Sequence, residues 1–189
     1  MLFRSETAVV GVPGPARPCR LTDNRPMTTT FKTVGVVGAG AMGRGIAQIA
    51  AQAGSTVRLF DVQASAVEAA RVSVFAQWDK MAEKGRLSAD AAAQAKARLL
   101  AAGQLTDLAG CDLVVEAVVE RLDVKKTLFA QLEDIVGTDA VLATNTSSLS
   151  VTAIAAALKR PQQFAGYHFF NPVPLMKVVE VIEIGRAHV

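Results

Sequence analysis

From Thr33 onward the chain alternates short apolar runs with longer stretches of helical spacing. "TVGVVGAG" (33–40) reads as a buried β-run that ends in glycines, and "AMGRGIAQIAAQAG" (41–54) as an Ala-rich helix closed by Gly54. "TVRLFD" (56–61) is a second strand ending in an acid. Residues 63–101 read as two helical segments broken at "KGRLS" (84–88), where Gly85 ends one and Ser88 caps the next. "DLVVEAV" (112–118) is a strand. "DVKKTLFAQLEDIVG" (123–137) is a helix with Val124, Leu128, Leu132, Ile135 and Val136 on one face. "AVLAT" (140–144) is a strand, "SVTAIAAALKR" (150–160) a helix, and "QFAGYHFF" (163–170) and "MKVVEVI" (176–182) are strands. Such alternation predicts an α/β fold with a mainly parallel sheet covered on both faces. The interval between the second and third of these strands is too long for a simple crossover, so a protruding helical pair is expected there.

Composition narrows the picture. The chain has 189 residues, of which 51% are hydrophobic and 20% charged, enough for one sizeable core and too apolar for disorder. No run approaches the roughly 20 apolar residues of a membrane span, so no membrane partner is expected. Two cysteines, Cys19 and Cys111, form no CxxC and no histidines cluster. A disulfide framework and a structural zinc site are excluded, no metal is expected, and the cytoplasm is the natural setting. The isoelectric point of about 9.1 invites a nucleic-acid reading until the charge is located. Setting aside Arg4, Arg17, Arg20, Arg25 and Arg186 from the 20 Lys+Arg, and Glu6 and Asp23 from the 17 Asp+Glu, leaves 15 of each between residues 27 and 183. The excess lies in the flanks, no basic stripe runs between them, and no nucleic-acid partner is expected.

The flanks differ in character. Residues 1–26 hold four of the seven prolines and show no periodicity, and a start at Met27 leads directly into the first strand. The leader lacks the sustained apolar core of a signal peptide. "LFRS" (2–5) can be encoded by CTC TTC CGA TCT and "IGRAHV" (184–189) by ATC GGA AGA GCA CAC GTC, strings that match translated sequencing-adaptor DNA. The expectation is a gene fragment with a non-native leader (1–26), a nucleotide-binding domain (27–183) and an artefactual tail (184–189) containing His188.

The first βα turn carries candidate chemistry. Gly38, Gly40 and Gly43 have G-x-G-x-x-G spacing, follow a predicted strand, open a helix, and precede an acid, Asp61, at the end of the next strand. In that context the motif predicts a dinucleotide site in a Rossmann-like, doubly wound sheet. Gly38 permits the tight turn, Gly40 lets the backbone approach a pyrophosphate, and Gly43 lets the helix pack closely. The first-turn amides, with Ala41 and Met42, favour the phosphate charge. Asp61 would accept hydrogen bonds from ribose hydroxyls and repel a 2′-phosphate, which selects NAD over NADP. Arg58 stands too early on its strand to act as a phosphate clamp.

Ligands of such sheets lie beyond the carboxyl ends of the strands. Three segments place polar residues there: Glu116, Glu120, Lys125 and Lys126 after the third predicted strand, Asn145, Ser147 and Ser148 after the fourth, and His168 and Asn171 at the fifth. The combination "GAGAMGRGIAQ", "VVEAVVE", "ATNTSSLSVTAIA" and "GYHFFNPVPLMKVVEV" resembles the NAD-binding domain of the L-3-hydroxyacyl-CoA dehydrogenases from about Lys32 to Ile182, and the short bacterial 3-hydroxybutyryl-CoA and 3-hydroxyadipyl-CoA branch most of all. The resemblance implies that His168 is the catalytic base for the substrate 3-hydroxyl and Glu180 its partner. It implies that Ser147 and Asn171 contact the substrate oxygen and the nicotinamide end, and that Glu120 and Lys125 lie near the cofactor. It makes the helical pair the contact for the CoA moiety, with Lys84 as the phosphate contact. It further implies oxidation of a 3-hydroxyacyl-CoA in fatty-acid or aromatic-acid degradation. A second, helical domain absent from this chain would close the acyl cleft and form a homodimer, and without it the chain would turn over little or no substrate.

Each candidate has a plainer reading. A histidine in an apolar strand is commonly a satisfied core residue, and Glu180 can be an outward residue of an alternating strand. "NTSSLS" can be only an N-cap, a role that falls to Ser150, and Glu120 with Lys125 can be an exposed pair. Cys111 reads as a small apolar residue and Trp78 as packing. Two other functions stand beside this one: a sugar-acid dehydrogenase of the gulonate type, which shares much of the motif set, and a non-catalytic NAD-sensing module, in which the fold binds nucleotide with no need of a His–Glu pair.

Overall fold

The computed structural model describes residues 31–176 and 178–184. The expectations for the 1–26 leader and for residues 185–189 of the tail, His188 among them, lie outside the described residues. In chain order the elements are β1 (Thr33–Val37), α1 (Ala41–Ala53), β2 (Thr56–Phe60), α2 (Ala64–Glu83), α3 (Ala89–Arg98), β3 (Leu99–Ala101), β4 (Leu113–Glu116), α4 (Leu122–Ile135), β5 (Val141–Thr144), α5 (Val151–Ala155), β6 (Phe164–Phe169) and β7 (Val179–Glu183). They form one sheet in the order β3-β2-β1-β4-β5-β6-β7. Every neighbour pair is parallel except β6 and β7. The chain reverses direction across the sheet between β1 and β4, the switch point where doubly wound folds bind nucleotides.

Helices cover both faces. On one side α1, α2 and α3 bury Ile46, Val74 and Trp78 against Val57 and Leu59. On the other, α4 and α5 bury Phe129, Leu132 and Ile154 with Phe164, and the Phe129 and Phe164 rings meet edge to face at 4.6 Å. Each side chain so buried contributes roughly 1.5–3 kcal/mol. Trp78 is fully buried, and Cys111 is buried as a small apolar residue. Burial pushes its thiol up to about 11, against a smaller lowering by the Arg58 charge.

Local signals behave as the sequence implies. Gly54 ends α1 in the left-handed conformation, Gly85 follows α2 at φ +65°, and the Ser88 hydroxyl accepts from the Ala91 amide at the start of α3. Three boundaries and one buried face differ. Residues 99–101 leave the helical pair and form β3, a sheet edge paired with β2 through Val57 and Leu59. Of the expected α4 face, Leu132 and the following Val136 are buried and Leu128 packs partly buried against them, but the buried side of the helix also takes in Phe129 and two charged residues, Lys125 and Glu133. The α5 helix stops at Ala155 because the Glu133 carboxylate accepts the amides of Lys159 (2.8 Å) and Arg160 (2.6 Å) and turns the chain away. Finally, β7 begins at Val179, after a turn in which Leu175 and Met176 donate to the Pro172 carbonyl.

Candidate active site at the carboxyl ends of the strands

The glycine turn occupies the switch point. Gly38 has φ +104°, and a Cβ there would lie 2.5 Å from the Ala117 carbonyl oxygen, so the loops after β1 and β4 touch through it. A Cβ on Gly43 would lie 1.8 Å from the Gly38 carbonyl oxygen, which is why α1 can start so close to the turn. Gly40 is different. Its φ of −65° suits any residue, and a Cβ there would meet no protein atom within 4 Å. Nothing in the fold asks for glycine at that point, whereas a phosphate resting on the loop does. No acid stands in the first turn of α1 to cancel its dipole, so the amides of Ala41, Met42 and Gly43 fit an anionic pyrophosphate. Asp61 lies beside them. Its Oδ2 accepts from the Ala39 amide at 2.8 Å and its Oδ1 from the Gln63 amide at 2.9 Å. Each oxygen keeps a second lone pair for a ribose hydroxyl. Arg58 turns to the Asp107 carbonyl instead.

Across the switch point, β4 ends in Glu116, which is fully buried. Lys125, from the first turns of α4, is fully buried with it, and Nζ lies 2.6 Å from Glu116 Oε1 and 3.3 Å from Glu120 Oε2. Lys125 is therefore an interior ammonium between two carboxylates, not half of an exposed pair. Glu120 Oε1 accepts from the Thr146 hydroxyl, the Ser147 amide (3.1 Å) and the Ser148 amide and hydroxyl. Partial burial pushes the Glu120 carboxyl up, but the hydrogen bond from Thr146, the charge and hydrogen bond of Lys125 and the Ser148 amide outweigh it and bring it down to about 2. Ser147 itself is exposed, with its amide fixed on Glu120. Ser150 caps α5 by accepting from the Ala153 amide, which separates the cap from the site residues before it.

His168 and Glu180 stand directly opposite each other on antiparallel β6 and β7. That register places both side chains on one face, and His168 Nδ1 lies 2.7 Å from Glu180 Oε2. The imidazole is 23% exposed and the carboxylate 50%, and the Phe170 ring lies 4.7 Å from the imidazole. Asn171 is exposed at the start of the β6–β7 connection, and Lys84 is exposed at the C-terminal cap of α2. Among the described residues no hydrogen bond joins either of them to the other candidates.

Three contributors carry no role in the sequence reading. Asn145 Oδ1 accepts the Phe169 amide at 2.9 Å and so ties β5 to the residue after His168. Thr144 donates to Glu116 Oε2 at 2.6 Å. Gly45 makes room for the connection after His168, since a Cβ there would lie 2.8 Å from Val173 Cβ. A glycine inside a helix costs about 1 kcal/mol relative to alanine, so its presence was the available signal of a close approach.

A doubly wound sheet with a glycine turn at its switch point, and a histidine–carboxylate pair two strands away, places the chain in the class of dinucleotide-binding domains. The chain belongs to the family described as 3-hydroxyacyl-CoA dehydrogenase, NAD binding domain, whose model matches residues 33–187. It is 46% identical over 156 residues to 3-hydroxyadipyl-CoA dehydrogenase of Escherichia coli (strain K12), a match covering 82% of this chain and 33% of that protein. It is 44% identical over 156 residues to 3-hydroxybutyryl-CoA dehydrogenase of Bradyrhizobium diazoefficiens, covering 82% of this chain and 53% of that one. The crystal structure of 3-hydroxybutyryl-CoA dehydrogenase from Escherichia coli K12 superposes with a TM-score of 0.79 at 46% identity, covering 81% of this chain and 32% of the other. The chain thus spans between a third and about half the length of these relatives. Its cofactor is NAD.

Proposed function

We propose that this domain serves the NAD-dependent oxidation of an L-3-hydroxyacyl-CoA to the 3-oxoacyl-CoA. The observation that carries the reading is the 2.7 Å contact between His168 Nδ1 and Glu180 Oε2. With Nδ1–H donating to the carboxylate, the imidazole keeps its lone pair on Nε2. Nε2 takes the proton of the 3-hydroxyl as hydride leaves the same carbon, and Glu180 stabilises the imidazolium that results. When bound, NAD supplies the hydride acceptor. Ser147 offers its hydroxyl to the substrate oxygen, Asn171 borders the nicotinamide end, and Lys84 on the helical pair takes a CoA phosphate. Residues 27–183 form the nucleotide-binding unit. The cysteine usage supports a cytoplasmic setting, and the resemblance supports a homodimer for the intact protein.

The test is NADH formation by the intact gene product with (S)-3-hydroxybutyryl-CoA and 3-hydroxyadipyl-CoA, the acyl groups named by its relatives. His168→Ala is expected to lower turnover by roughly 10²–10⁴, while NAD affinity stays within a few-fold. A His168→Ala protein that oxidises either substrate at the parent rate would overturn the reading. Activity on gulonate in place of both thioesters would move it to a sugar acid.

A further inference from the structure

At the carboxyl ends of β4 and β5, a lysine and two glutamates share one site in a way that stability does not require. Glu116 and Lys125 have no exposed surface. A buried ion pair of this kind is commonly no better for stability than well-packed apolar side chains of the same volume. Here two carboxylates flank one ammonium, so the cluster also holds an excess negative charge.

The connections run in one direction. Glu116 is the last residue of β4 and pairs in register with Thr144, the last of β5. Its Oε2 accepts from the Thr144 hydroxyl at 2.6 Å, and its Oε1 accepts from the Val118 amide at 2.7 Å and from Lys125 Nζ at 2.6 Å. Both oxygens are therefore engaged, and the nearer of the two contacts to Lys125 is the one to Glu116. The same ammonium reaches Glu120 Oε2 at 3.3 Å. The other oxygen of Glu120 carries the Thr146 hydroxyl and the Ser147 and Ser148 amides. Without Glu116, the buried ammonium would have Glu120 as its only carboxylate among the described residues. It would then draw that carboxylate inward, at the expense of the bonds to the Ser147 loop.

We infer that Glu116 is a positioning residue of the NAD site: it fixes Lys125, Lys125 places Glu120, and Glu120 shapes the loop that presents Ser147. The inference rests on the cofactor site and not on which alcohol is oxidised, because its test reads NAD binding and stability and no turnover.

The experiment measures NAD affinity by calorimetry and the thermal midpoint for the 189-residue chain as Glu116→Gln, Lys125→Met and the double variant. Lys125→Met leaves the buried Glu116 carboxylate without its cation, and Glu116→Gln leaves the buried ammonium only its longer contact to Glu120 among the described residues. Each is expected to lower both quantities, with NAD affinity falling about tenfold or more. The double variant removes both charges and is expected to recover most of the midpoint while NAD binding stays about tenfold weaker. Exchange of the Ser147 and Ser148 amides should be faster than in the parent. Parent-level NAD affinity in the double variant would reduce the cluster to a purely structural role and overturn the inference. So would parent-level affinity in Glu116→Gln. Should the double variant fail to fold, Thr144→Val decides, since it removes only the hydroxyl on Glu116 Oε2. A fall in NAD affinity of a few-fold or more supports the role, and an unchanged affinity refutes it. No NAD binding by the parent would overturn the cofactor site and the inference together.

Discussion

Between Gly38 and Gly43 the nucleotide cleft is made by a few consecutive residues whose missing side chains let backbone meet backbone. On the opposite wall, Glu120 and Lys125 come from the segment after β4 and Ser147 from the one after β5, and His168 meets Glu180 only because two strands run antiparallel in one register. The first wall is steric and local, and it tolerates no added atom at two of its three glycines. The second is electrostatic and distributed, held by hydrogen bonds between elements. A substitution in the first should act at once on fold and ligand together. One in the second should separate them.

The largest effect is expected for Gly43→Ala, whose Cβ would overlap the Gly38 carbonyl oxygen at 1.8 Å. Overpacking of this kind costs roughly 1–3 kcal/mol or more, and thermal unfolding with NAD calorimetry should show midpoint and affinity falling together. Gly40→Ala sharpens the contrast within the same wall. Its Cβ meets no protein atom within 4 Å, so the midpoint should hold while NAD affinity falls about tenfold, as a methyl group displaces a phosphate from its amide partners. An unchanged affinity would mean that the open space above Gly40 is not where the pyrophosphate lies.

Glu120 breaks the comparison from the other side, through pH. Its carboxyl is held down at about 2 from an ordinary 4.5, so the folded chain binds that proton less tightly than the unfolded chain does. The resulting stabilisation is fully present above 4.5 and is lost as pH falls towards 2. Glu120→Gln should therefore unfold at a lower temperature than the parent at neutral pH, and the two midpoints should converge through this acid window. Parallel curves would show that the network leaves the carboxyl unperturbed. The smallest effect belongs to Ser150→Ala. Loss of the cap on Ala153 costs about 1 kcal/mol, and NAD affinity should not change, because the cap and the site residues of this loop are separate.

Much of this architecture was legible in the chain itself. The glycine turn, the Gly54 cap and the alternation of strands and helices depend on interactions within a few residues, which sequence pattern records directly. The α4 helix shows the limit. Its apolar residues point to an interior face through Val124, Leu128 and Leu132, yet Lys125 and Glu133 are buried beside Leu132 while Val124 is only half-buried. Hydropathy cannot show that a charge will find its partner on another strand. Similarly, "ARLLA" suits the end of a helix as well as a strand, and β3 exists because β2 offers it an edge to pair with.

The sequence alone identified an α/β nucleotide-binding domain, with Gly38, Gly40, Gly43 and Asp61 as the candidates for its phosphate and ribose end and His168 with Glu180 as its candidate for proton transfer. The first two rest on spacing and residue chemistry, and the pairing of His168 with Glu180 on the resemblance to the L-3-hydroxyacyl-CoA dehydrogenases. Only the tertiary structure decided that Glu180 stands opposite His168, that Lys125 is interior, and that Glu116 and Thr144 join the strand ends behind it. Those facts depend on which strands pair and in what register, and a cross-strand contact is set by the cooperative packing of the whole sheet.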